Sequence, residues 1–63
     1  MFRCFFMGSD GHFVGAIHVE SPEEDTAIEE ARRVLQKGDV RRATGFEVWH
    51  GARMIFSSEP QDH

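Results

Sequence analysis

Only one stretch of this chain, ESPEEDTAIEEARRVLQKGD from Glu20 to Asp39, carries the period of an α-helix. Ala27, Ile28, Ala31, Val34 and Leu35 follow the i, i+1, i+4, i+7, i+8 spacing of a single apolar stripe. Ser21 is placed to cap the N-terminus, Pro22 suits the first helical position, and Glu24 stands three residues after Ser21 as in a capping box. The expected helix therefore runs from Pro22 to Lys37, with Gly38 as the left-handed residue that closes it. Acids fill its first turns and Arg32, Arg33 and Lys37 its last, which complements the macrodipole. One helix can cover one face of one sheet, and the rest of the chain has to be fitted to that limit.

The segments on either side read as strand pairs. FRCFFM and HFVGAIHV are rich in aromatic and β-branched residues, and the Asp10-Gly11 pair between them suits a two-residue type I′ turn. FEVW and RMIF form a second pair across His50-Gly51 or Gly51-Ala52. DVRRATG connects the helix to this pair, and SSEPQDH has little to bury. The spacing predicts one α+β domain over residues 1–57, ββαββ, a four-stranded sheet with one helix on one face, and a frayed tail over 58–63. Two strand orders fit: 2-1-4-3, which resembles the β-grasp of immunoglobulin-binding protein G domains, and the wholly antiparallel 2-1-3-4.

Alternation along a strand sorts side chains between the two faces. With the Asp10-Gly11 turn, Phe2, Cys4, Phe6, Phe13, Ile17 and Val19 share the uncharged face expected under the helix. Either turn of the second pair groups Phe46, Val48, Arg53 and Ile55 on one face and Glu47, Trp49, Met54 and Phe56 on the other. Each set carries one charge, so the turn does not choose between them; Phe46, Val48 and Ile55 are favoured under the helix, with Arg53 near the turn, where its head reaches water. The opposite face then carries Phe5, Met7, Val14, Trp49, Met54 and Phe56, with no second helix to cover them. Exposed aromatics in that number exceed the few-hundred Å² apolar patch usual on a monomer. These six residues are the expected interface of a homodimer joined sheet face to sheet face.

Size points the same way. A 63-residue chain buries only about 60% of the surface it exposes when unfolded, and scaffolds this small usually need a disulfide, a metal or a partner. The single cysteine, Cys4, cannot form an internal bridge, and no zinc-ligand spacing is present. No cofactor is implied. MFRCFFMGSD lacks the basic and apolar regions of a signal peptide, and no apolar run approaches membrane length. A cytoplasmic setting with no membrane contact is expected.

Chemistry-bearing residues are few. Cys4, expected beneath the helix, reads as a small buried hydrophobe rather than a nucleophile. His12 and His50 fall at opposite ends of the expected sheet, and His18 projects beside Arg3 with no carboxylate to orient it. The acids of PEEDTAIEE are explained by the helix dipole and by pairs such as Glu29 with Arg33. Arg32, Arg33, Lys37, Arg41 and Arg42 gather at and beyond the helix C-terminus as a candidate anion-binding cluster. RNA binding would combine them with Phe5, Trp49 and Phe56 as stacking platforms, but a net charge of −4 weighs against it. No phosphate loop, nucleophile elbow or metal motif occurs, so no enzyme is expected. The partner could also be another protein.

FFMGSDGHFV, AIEEARRVL and FEVWHGARMI together resemble a group of short, uncharacterised alphaproteobacterial proteins, across most of the chain. Phe2 and Phe5 stand where that group usually has tyrosines. The resemblance implies a fold of this class in a cytoplasmic protein and brings no activity with it.

Overall fold

The computed structural model describes residues 1–58. Strands β1 (Phe2–Met7) and β2 (Phe13–Val19), helix α1 (Glu24–Lys37), then strands β3 (Gly45–His50) and β4 (Arg53–Ser57) follow one another along the chain. The sheet order is β2-β1-β3-β4 and every neighbouring pair is antiparallel. The β-grasp order is thereby excluded, since β1 lies beside β3 and not β4. This pairing sets Cys4 opposite Val48 and Phe6 opposite Phe46. Those four are the largest fully buried side chains, and α1 packs over them with Ala27 and Ala31, both at 0% exposure. Ile17, Ile28, Val34, Leu35 and Val40 complete the cluster from its margins.

The helix starts later than its sequence signals suggest. Ser21 Oγ accepts the Glu23 N–H at 3.1 Å, which makes a local turn, and Glu23 takes the capping position in extended geometry without a side-chain bond. The capping box is therefore not formed. A hydroxyl that bonds two residues ahead has satisfied a donor before the helix begins. The other end closes as expected: Gly38 has φ 73°, its N–H reaches Leu35 O at 3.2 Å, and the Asp39 N–H reaches Val34 O at 3.3 Å. That pair of bonds is a Schellman motif. The helix ion pair joins Arg33 to Glu30 rather than Glu29, at 3.5 Å and in the open, where such a pair contributes under about 1 kcal/mol.

Two β-bulges correct the expected sorting of faces. In the first hairpin Phe6 pairs with Gly15 but Met7 pairs with Phe13, so Val14 is an extra residue. The loop is not a two-residue turn. It spans residues 8 to 12, closed by Gly8 N–H to His12 O at 2.9 Å and Gly11 N–H to Gly8 O at 3.0 Å. Phe13 is thereby moved to the face opposite the helix, where its ring stacks on Phe5 with centroids 5.4 Å apart. In the second hairpin the turn is Gly51-Ala52, with Trp49 paired to Met54 and Val48 to Phe56, leaving Ile55 as the extra residue. Phe56 moves the other way, onto the helix side, and stacks on Phe46 at 5.6 Å. One inserted residue reverses every side chain beyond it, and each hairpin contains one.

Two further corrections follow. Met7, expected on the uncovered face, is only 4% exposed and stands outside the helix-side cluster. Ser58, expected to fray, donates its N–H to Phe46 O at 2.9 Å and accepts the Phe46 N–H on Oγ at 2.8 Å. The remainder of the expected tail, 59–63, lies outside the described residues. The placement of Phe56 has a measurable consequence. Phe56→Ala should cost about 2 kcal/mol in denaturant unfolding, below the ~3–5 of a fully buried Phe because the ring is half-buried. It should leave self-association of the folded chain unchanged.

Candidate interaction face on the open sheet

The face away from α1 is built from register. Arg3 pairs with His18 on one side and Trp49 on the other, and Trp49 pairs with Met54, so one row of side chains crosses all four strands. The next row is Ala16, Phe5, Glu47 and Ser57. Phe13, beyond the first bulge, leans against Phe5. Phe13 is 61% exposed and Met54 46%, while Phe5 and Trp49 are half-buried. A shallow groove of about 880 Å³ opens on this face, lined mainly by Met1, Arg3, Phe5, Phe13, His18 and Trp49. The Trp49 indole is held by its N–H, which donates to Glu47 Oε1 at 3.0 Å.

Of the six expected interface residues, Phe5, Trp49 and Met54 come together here. Val14 is exposed but sits at the bulge, lining a separate depression with Gly8, Ser9, Asp10, Arg42 and Thr44. Met7 is buried and Phe56 is under the helix. Sequence reasoning placed Arg3, Ala16 and His18 on this face with Phe5, as found, and missed Phe13. The one available signal for Phe13 was the second glycine of the loop, Gly8, which permits a longer connection than Asp10-Gly11 alone.

The cations have different neighbours. Arg32 lies with its guanidinium carbon 6.0 Å from the centre of the Phe56 ring, a cation–π distance, and Arg33 pairs with Glu30. Arg42 turns toward the first hairpin loop with φ 68°, alone among described non-glycine residues in having positive φ. Lys37 ends the helix and Arg41 is exposed in the loop after it.

The histidines are equally dispersed. His12 Nδ1 is 2.9 Å from Asp10 Oδ2, and its backbone N–H donates to Asp10 Oδ1 at 3.1 Å. These bonds hold the Asp10 carboxyl below its ordinary value. His50 sits at the other end of the sheet with its ring 5.0 Å from that of Phe2. His18 contacts the Met1 sulfur at 3.1 Å. Among the described residues no group of three His, Cys, Asp or Glu could hold a metal ion.

Cys4 is fully buried, with its thiol 3.9 Å from the Ala27 carbonyl. Burial, with a smaller contribution from the Glu30 charge, pushes the thiol up to about 11. A thiol in this state is a poor nucleophile at neutral pH. Because its folded pKa is raised, the stability it contributes is full below the unfolded value of 9.0 and falls as pH rises toward 11. Ellman's reagent at pH 7.5 should therefore label Cys4 only as fast as the chain opens, and the melting temperature should drop between pH 9 and 11. Cys4→Ser is expected to remove neither association nor solubility.

No protein-family model, curated protein or solved structure matched this chain. Among the described residues no helix is long and apolar enough to cross a membrane.

Proposed function

We propose that this chain is a small non-enzymatic interaction module, cytoplasmic, that forms a homodimer through its open sheet face. The observation that carries the reading is Phe13, Met54 and the half-buried Phe5 and Trp49 standing together on a face that no element among the described residues covers. The molecule measures 30 × 26 × 16 Å, its thinnest dimension being one helix laid on one sheet. A second sheet packed about 10 Å away would take both faces out of water.

Magnitude sets the expected strength. Four strands about 4.8 Å apart and some six residues long give a footprint of roughly 400 Å² before side-chain relief is counted. That is a small interface beside the ~800 Å² per partner of a standard one. At about 25 cal/mol per Å², the apolar area buried on both copies outweighs the lower range of association costs by a modest margin. The expected dissociation constant is therefore micromolar rather than nanomolar.

Anion or RNA binding through Arg32, Arg33, Lys37, Arg41 and Arg42 draws less support. Arg32 and Arg33 stand on the helix that covers the opposite face from the exposed rings, so these two cations do not share a surface with the stacking platform. Sedimentation velocity from 1 to 200 μM should show a monomer–dimer equilibrium. Trp49→Lys should sediment as a folded monomer throughout. A wild-type chain that is monomeric at 200 μM would overturn the reading.

A further inference from the structure

The two rows on the open face are not randomly composed. Reading across the strands from β2 to β4, the first row is His18, Arg3, Trp49, Met54 and the second is Ala16, Phe5, Glu47, Ser57. Its apolar members therefore form a diagonal, with Ala16 and Phe5 in the second row continuing into Trp49 and Met54 in the first. Arg3 lies on one side of that diagonal and Glu47 on the other.

A two-fold axis in the plane of the interface exchanges the two sides of any line it runs along. We propose that the homodimer's two-fold axis follows this diagonal, so that Phe5, Trp49 and Met54 each pack near their own counterparts and Arg3 of each copy pairs with Glu47 of the other. This inference rests on the dimer reading above and deepens it by naming the register of the partner. An isologous interface must be self-complementary, and this face carries one cation and one anion placed to satisfy that requirement. Arg3 makes no ion pair among the described residues, and Glu47 uses only Oε1 on the Trp49 indole. The pairing also balances charge locally between two chains that each carry a net charge of −4.

The axis fixes how the sheets cross. Rows of one face lie about 6.7 Å apart along a strand and strands about 4.8 Å apart, which inclines the line of exchange by roughly 55° to the strands. The strands of the two copies then cross at roughly 70°, nearer to orthogonal sheet packing than to the aligned class at about −30°.

The test is a reciprocal charge swap, read by sedimentation at 50 mM salt. Arg3→Glu alone places two carboxylates against each other twice per dimer, and Glu47→Arg alone places two guanidinium groups together twice. Each variant should self-associate at least tenfold more weakly than wild type while keeping the wild-type circular dichroism spectrum. Mixed in equal amounts, the two should recover association to within about threefold of wild type, and salt should weaken the mixture. Should Glu47→Arg fail to fold, Glu47→Lys serves in the same mixture, because only the sign of the charge matters. If wild type dimerises and Trp49→Lys does not, but the mixture stays as weak as its components, the diagonal axis is overturned and the dimer reading stands. A wild-type chain that stays monomeric, whether or not it binds a single-stranded oligonucleotide, overturns both.

Discussion

The approach of α1 to the centre of the sheet is the contact on which the remaining structure depends. The helix presents Ala27 and Ala31 to Cys4, Phe6, Phe46 and Val48, and all of these are sealed from water. Small side chains on the helix let the large ones on the sheet fill the space between the layers, so close packing is reached with little chain. The Cys4 thiol points at the Ala27 carbonyl at 3.9 Å, a sign of how near the helix backbone lies. Such a core is one layer deep. Everything on the far side of β1 and β3 has to find its cover elsewhere or stay wet.

Much of this was legible in the residues. The helix stripe, its glycine closure and the two hairpins follow from periodicity and turn chemistry, because those signals are local. Strand order is not local: 2-1-3-4 is chosen by Phe6 meeting Phe46 and Cys4 meeting Val48 across the sheet, contacts between distant segments. The helix start was misread because Ser21 and Glu24 satisfy a pattern that the backbone does not adopt; the hydroxyl is already used on Glu23.

Face assignment failed at two rings for a single reason. Alternation is reliable only while the ladder is unbroken, and a bulge leaves no mark in composition. Phe13 and Phe56 exchanged faces, so the open face still holds Phe5, Phe13, Trp49 and Met54 although Met7 is buried and Val14 stands apart at the bulge. The uncovered apolar face therefore survived errors in its membership. Trp49 and His50 are neighbours in sequence but occupy successive positions of β3 and so face opposite ways. His50 meets the Phe2 ring at the sheet's end while Trp49 turns to the open face on the Glu47 carboxylate, so the neighbours share no site.

Strand β1 is the first element of the chain, yet it lies in the interior of the sheet with β2 on one edge and β3 on the other. The β1–β2 hairpin can form by itself, but an isolated two-stranded hairpin is marginal in water. Its second edge and its helix-side face stay open until α1 and β3 have been made. No partial structure along the chain thus closes a core, and the domain has no smaller cooperative unit into which it could divide. Folding and unfolding should occur as one event, and a chain cut short of Gly45 would keep β2 beside its first strand but leave the other edge of that strand unpaired.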